Sequence, residues 1–400
     1  MSGTRRKPGR MGPFIDGFEA WLLELGYTPE TVRNALKVVG QLGRWMGRAD
    51  LDASQLDEVL IAEFVSARRA DEHRRAPSVR SLAPLLNYLR CQGVVPPEVR
   101  GPSTPVDELM GRYRAWLVID RGLAPATVLR YENLARRFLQ ERAAEDGDRF
   151  VEDLIGAHVI AFLLRESARV SVGAAKGRVA ELRSLLRFLY LKGVTPVALA
   201  TAVPPVAGWH DTGIPVGLAA TEVRALLDGC DRGDPAGIRD FAILVLVARL
   251  GLRSAEVARL ELGDIDWRAG EIVVRGKGRR QDRLPVPCDV GEALTAYLCE
   301  ARQPTPIRQV FLARKAPIRA IRPDLVSDVT RRACERAGVP RVGAHRLRHA
   351  LATELLARGA TLVDVSQVLR HRDLATTAVY AKVDLGTLRH VAQPWPGAGQ

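Results

Sequence analysis

The chain has little lysine, no patterned cysteine and no long apolar run, and each shortage excludes something. Only seven of its 400 residues are lysine, although Lys and Arg together number 59. Positive charge is therefore carried almost wholly by arginine, whose planar fork grips phosphate in a way an ammonium does not. Each remaining lysine stands out. The five cysteines, Cys91, Cys230, Cys288, Cys299 and Cys334, are odd in number, scattered and free of any CxxC pair. That disfavours both a disulfide scaffold and a zinc ribbon, and predicts a reducing cytosol. The longest apolar run, Phe241–Ala248, is far too short to span a bilayer. No apolar segment follows the basic N-terminus, so no signal peptide is expected and the location is read as cytoplasmic.

What is present is positive charge on a foldable chain. Hydrophobic residues make up 47% and charged residues 26%, the balance of a folded protein. The length suggests about two to three domains. The net charge of +13 points to a polyanionic partner, nucleic acid first and an anionic membrane a weak second. The excess is densest in residues 301–350, which hold 12 basic and 3 acidic groups, so this segment is expected to face the polyanion.

Residues 1–13 form a basic arm with Arg5, Arg6, Lys7 and Arg10. An internal repeat follows. FEAWLLELGYTPETVRNALKVVGQLGRWM (Phe18–Met46) matches YRAWLVIDRGLAPATVLRYENLARRFL (Tyr113–Leu139), with Trp21 on Trp116, Gly26 on Gly122 and Pro29 on Pro125. Downstream, SLAPLLNYLRCQGVVP from Ser81 matches ELRSLLRFLYLKGVTP from Glu181. The leucines there, Leu82, Leu85, Leu86 and Leu89 against Leu182, Leu185, Leu186 and Leu189, mark one face of a helix that a glycine then stops. Two similar all-helical domains are expected, over 14–100 and 103–201.

Residues 202–217 read as a Pro/Gly linker. The pattern then changes. An amphipathic helix is expected from Leu218 with Thr221 as its N-cap, and a buried helix over Phe241–Leu250 ended by Gly251. A hairpin is expected from Glu271–Val274 and Arg283–Val286. The third domain, 218–390, is thus mostly helical with one small sheet, and 391–400 is a tail.

Four clusters in this last domain carry chemistry. In GLRSAEVARL, Arg253 follows a helix-stopping glycine, and Glu256 lies one helical turn on, able to orient it. Alone, such a pair is usually a solvated ion pair. Lys277 sits between Gly276 and Gly278 at the hairpin tip, where a flexible turn can push an ammonium against a phosphate. In HRLRH, His345 and Arg348 share a helix face. His349 completes a spacing like that of zinc ligands, but Arg346 stands where the needed Glu would be, and cations beside the ring nitrogens oppose a metal. In LRHRDLATTAVY, His371 is followed nine residues later by Tyr380.

Together these residues suit one task. Two arginines can neutralise a phosphodiester passing through a pentacovalent state, a tyrosine can attack the phosphorus, and a lysine can protonate the departing 5′ oxygen. No carboxylate cluster fit for Mg²⁺ lies near them in sequence, which disfavours two-metal cleavage.

The order Arg253, Lys277, His345, Arg348, His371, Tyr380 resembles the tyrosine recombinases of the phage-integrase (Xer-type) family, over roughly residues 218–390. Together with the internal repeat, the resemblance implies two helical, SAM-like core-binding-type domains, of which 103–201 is the one the family usually carries, ahead of a mixed, mostly α catalytic domain with a small antiparallel sheet. It implies Tyr380 as nucleophile, Arg253 and Arg348 as phosphate ligands and Lys277 as general acid. His345 would assist proton transfer, His371 would bond the phosphate, and Glu256 would support Arg253. It implies site-specific recombination of the integrase or transposase type, through a 3′-phosphotyrosyl link and a Holliday junction, with neither metal nor other cofactor. The implied partners are double-stranded DNA target sites and a homo-tetramer, or a hetero-tetramer with a related recombinase, and no membrane. A type IB topoisomerase and a catalytically inactive DNA-binding accessory protein are the alternatives. Two departures stand against the family pattern. Arg370 replaces the glycine common before His371, where it is expected to touch DNA or alter the turn. The helical domain over 14–100 is an addition to the single one that many members carry.

Overall fold

A computed structural model of the chain describes residues 9–70, 77–97, 104–206, 217–276, 280–371 and 377. Two compact units form. One joins Met1–Pro96 to Asp211–Gln400, and the other is Pro97–His210.

The first unit opens with a helical bundle of α1 (Ile15–Glu24), α2 (Pro29–Arg48), α3 (Glu58–Ala70) and α4 (Val79–Cys91). The second unit has the same order: α5 (Pro105–Ala115), α6 (Pro125–Asp146), α7 (Gly156–Ala168) and α8 (Val172–Leu191). Proline occupies the first position of both α2 and α6, where its missing N–H costs nothing. The repeat extends to side chains. Phe18, Trp21 and Tyr88 meet as a trio with centroids 6.1, 5.5 and 5.7 Å apart. Tyr113, Trp116 and Phe188 repeat it at 6.0, 5.2 and 5.7 Å. Each such pair adds about 0.5–1.5 kcal/mol beyond area burial. The buried Tyr113 hydroxyl donates to Ser184 Oγ (3.2 Å), so its polar end is satisfied inside the core.

The remainder of the first unit surrounds α10 (Pro235–Leu250), preceded by α9 (Ala220–Asp228). Helix α10 is apolar on nearly every face, and α9 and α11–α14 pack around it. After it come α11 (Ser254–Arg259), the strands β1 (Ile265–Asp266), β2 (Glu271–Arg275) and β3 (Gln281–Pro285), and α12 (Cys288–Ala296). The chain continues through α13 (Pro323–Ala337), α14 (His345–Ala357) and α15 (Leu362–Leu369). The sheet is antiparallel in the order β1-β2-β3, with Ile272 paired to Leu284 and, on the other edge, to Ile265. Ile318 N–H donates to the Leu25 carbonyl (2.8 Å), joining this part to the α1 end of the helical bundle.

The mainly helical class with one small sheet agrees with the sequence reading. Three details differ. Thr221 does not cap α9; the helix begins a residue before it, and Glu222 Oε2 instead accepts from Ala219 N–H (2.7 Å). The hairpin gains a third strand, β1, too short to show alternation in sequence. Part of the charge over 301–350 is structural. Arg302 donates to the carbonyls of Ile307, Gln309 and Val310, Arg332 pairs with buried Asp240 (3.0 Å), and Arg336 bonds the Gly229 carbonyl (2.9 Å). Among the described residues no helix is long and apolar enough to cross a membrane.

Candidate active site

The site is built where three helix ends meet. Helix α10 ends at Gly251, which takes a left-handed conformation (φ +58°). An L side chain rarely adopts this φ, and a Cβ at Gly251 would also stand 2.9 Å from the Leu369 side chain and 3.1 Å from that of Leu351, so glycine is the residue that suits the turn. The turn delivers Arg253 to the start of α11. Glu256, one turn into that helix, reaches back to Arg253: Oε2 accepts from the Arg253 backbone N–H (2.8 Å) and Oε1 from Arg253 Nη1 (2.7 Å). Burial alone would raise the Glu256 pKa. The backbone N–H of Arg253, together with the Arg370 and Arg253 guanidiniums, overcomes that and holds the carboxyl below its ordinary value.

The second element is α14. Its first turn carries His345, Arg348 and His349. Arg348 is only 1% exposed, and its guanidinium donates from Nη1 to the Gly251 carbonyl and from Nη2 to the Leu369 carbonyl. It thereby ties α14 to the ends of α10 and α15. The His345 and His349 rings meet edge to face at 4.3 Å.

The third element is the end of α15. Arg370 caps it with φ +54° and ψ +47°, one of two non-glycine residues with positive φ among the described residues. That conformation costs an L-residue about 1–2 kcal/mol. Of the two expectations for this position, contact with DNA or an altered turn, the buried side chain bears on the turn. It is 3% exposed and folds onto the site, donating from Nη2 to Glu256 Oε2 (2.9 Å) and from Nη1 to the Leu250 (3.3 Å) and Val368 (3.0 Å) carbonyls. Nη2 also faces the Gly251 carbonyl (3.4 Å). Next in chain, His371 Nδ1 shares a hydrogen bond with the buried hydroxyl of Thr377 (2.7 Å). Sequence reading missed both partners. The signal available for Arg370 was a long cationic residue standing where a helix stop favours glycine.

Of the residues singled out in sequence, Arg253, Glu256, His345, Arg348 and His371 thus lie on the three helix ends of one site. Lys277 and Tyr380 lie outside the described residues. The chain leaves β2 and re-enters β3 beside Lys277, where Gly276 N–H donates to the Arg280 carbonyl (2.8 Å). Among the described residues no group of three or more His, Cys, Asp or Glu is placed to hold a metal ion.

The site histidines all lie below their ordinary value. Burial, then the charges of Arg348 and Arg253, lower His345. Burial and the same two arginines take His371 to about 4, and burial with His345 and Arg346 takes His349 to about 4. Between pH 6.5 and 4 the unfolded chain therefore binds protons that the folded site refuses. Stability is expected to fall as pH drops through this window and to stop falling on this account below about 4. Melting temperatures of the wild type, His349→Asn and His371→Asn from pH 7.5 to 4 test it. The variants should show the shallower loss, and equal slopes would contradict the assignment.

Comparison with known proteins gives the family. Residues 217–386 match the model of the phage integrase family. The y4rA protein of Sinorhizobium fredii, provisionally described as an integrase/recombinase, is 37% identical over 99% of this chain and 97% of its own. The tyrosine recombinase XerD of Mycobacterium tuberculosis is 32% identical over 72% of this chain and 95% of its own. Among solved structures, XerH recombinase bound to a palindromic difH substrate shares the fold with TM-score 0.56 and 18% identity, over 74% of this chain and 98% of that one. A lambda integrase dimer on a core site does so with TM-score 0.53 and 16% identity, over 70% and 95%.

Proposed function

Because the chain belongs to the phage integrase family of tyrosine recombinases, enzymes that cleave and rejoin DNA in site-specific recombination, we propose that it acts through a 3′-phosphotyrosyl intermediate made by Tyr380. The observation that carries the reading is the meeting of Arg253 and Arg348 at the Gly251 turn, with His345 and His371 on the adjoining helix ends. Two guanidiniums at one place suit the two non-bridging oxygens of a scissile phosphate.

In the proposed reaction Tyr380 Oη bonds to phosphorus as the bond from phosphorus to the 5′ oxygen breaks. The phenolic proton passes toward His345, whose burial among arginines keeps it able to accept. Lys277 gives a proton to the departing 5′ oxygen. Arg253 and Arg348 neutralise the charge gathering on phosphorus, His371 bonds a phosphate oxygen, and Glu256 keeps Arg253 in place. One phosphate ester replaces another, so rejoining to a new 5′ end needs neither ATP nor a metal. The partners are duplex DNA sites, met in the cytoplasm. The working assembly is a tetramer, of this chain or with a related recombinase, on two duplexes that pass through a Holliday junction. The DNA named with the XerH and lambda integrase structures supports the first point, as does the net charge of +13.

The test uses nicked duplexes carrying inverted repeats from the DNA that flanks the gene, incubated with the protein in EDTA. A covalent protein–DNA adduct and strand exchange between two duplexes are expected. Relaxation of any plasmid without exchange points instead to a topoisomerase. Strict dependence of cleavage on added Mg²⁺ overturns the metal-free chemistry.

A further inference from the structure

We propose that Arg370 is a positioning residue for Arg253, acting through Glu256 and through its own carbonyl oxygen; the inference rests on reading Arg253 as a phosphate ligand. The Arg253 side chain is 43% exposed and stands at the head of a six-residue helix, so its own backbone does little to fix where its guanidinium points. Two contacts fix it. Nη1 donates to Glu256 Oε1 (2.7 Å), and Nη2 faces the Arg370 carbonyl oxygen (3.4 Å). Arg370 stands behind both. It supplies that carbonyl, and its Nη2 holds the other oxygen of the same carboxylate (2.9 Å). Glu256 is thus clasped between two guanidiniums and cannot turn without breaking a charged bond on each side.

Arg370 is itself fixed. Its Nη atoms also face the carbonyls of Leu250, Gly251 and Val368, and its side chain is 3% exposed. A residue needed only to stop α15 would be glycine, which takes a φ of +54° freely. The strained arginine is explained by what its side chain holds: the carboxylate behind Arg253 and the turn from which Arg253 emerges. The result is a relay, from Arg370 to Glu256 to Arg253 to phosphate, with each link a charge-assisted hydrogen bond.

The relay predicts a defect that depends on phosphate charge, which a general loss of folding does not. Arg370→Gly and Arg370→Lys are compared with the wild type on two suicide duplexes. One has an ordinary scissile phosphate. The other has a methylphosphonate, in which a methyl group replaces one non-bridging oxygen and removes the charge that Arg253 neutralises. On the ordinary phosphate, Arg370→Gly is expected to cleave roughly 10–100-fold more slowly at saturating DNA, as a misplaced catalytic group does. Equilibrium binding of DNA should change by less than about threefold, since contacts along the backbone are many. On the methylphosphonate the gap to wild type should shrink severalfold. Arg370→Lys keeps a cation but cannot span the carboxylate and the carbonyls together, so an intermediate loss is expected; it also serves if the glycine variant melts below assay temperature. Equal slowing on both substrates assigns Arg370 a purely structural role and overturns the proposal. So does wild-type cleavage by both variants, which leaves the reading of Arg253 intact. A wild type that forms no adduct on the ordinary phosphate removes that reading and this inference with it.

Discussion

Tyr380→Phe is expected to abolish the covalent protein–DNA adduct while leaving DNA binding in place. The substitution removes one atom, the phenolic oxygen, and keeps the ring. If that oxygen forms the bond to phosphorus, no residual group can substitute for it, and cleavage should fall by at least about 10⁴-fold, the scale seen when a covalent nucleophile is deleted. The phosphate contacts proposed for Arg253 and Arg348 do not involve this oxygen, so a gel-shift titration should give an affinity within a few fold of wild type. Denaturing gels of the suicide-duplex reaction read the adduct directly. Persistence of the adduct in this variant places the nucleophile elsewhere and removes Tyr380 from the mechanism.

Arg348→Ala should cost both activity and stability, for separable reasons. Arg348 is the largest of the side chains that are less than 2% exposed, and it donates to the carbonyls ending α10 and α15. Truncation leaves the Gly251 and Leu369 carbonyls without the donor they now have, at about 1–3 kcal/mol for each group left unsatisfied. The melting temperature should therefore drop by several degrees. If the guanidinium meets the scissile phosphate as proposed, its loss costs a further factor of about 10²–10³ in rate. Arg348→Lys separates the two effects, because an ammonium keeps the charge but cannot bridge Gly251 and Leu369 at once. Single-turnover cleavage well below the melting point measures the chemical part alone. A rate within about threefold of wild type for Arg348→Ala, where the loss of one such donor predicts hundreds, is incompatible with a phosphate-binding role.

The parts of the site legible in sequence are those set by local periodicity. Arg253 and Glu256 are one turn apart at the start of a helix, and the carboxylate reaches back to the backbone N–H that the helix start leaves unpaired. HRLRH falls on a helix whose first turn carries both His345 and Arg348. The internal repeat was likewise visible, down to the residues that become the two aromatic trios. Arg370 was legible only as a departure, a long cation where a helix stop favours glycine; what its side chain holds was not. Its partners Leu250, Gly251 and Glu256 lie 120, 119 and 114 positions away. Only the folded arrangement of three helix ends brings them together. The same reasoning applies within residues 301–350, where Arg332 is paired with the buried carboxylate of Asp240, 92 positions away, and Arg336 with the Gly229 carbonyl, 107 away.

The guanidiniums of Arg348 and Arg370 both rest on the last carbonyls of α10 and α15, and these are the negative poles of two helix macrodipoles, each worth about half an elementary charge. The poles offset the crowding of cations at the Gly251 turn, so the cluster can stand desolvated with no nucleic acid bound. They also make the site selective by charge. A phosphodiester brings a whole charge where each pole offers about half, so it is the ligand able to draw Arg348 from the Gly251 and Leu369 carbonyls while Arg370 keeps its hold on Glu256.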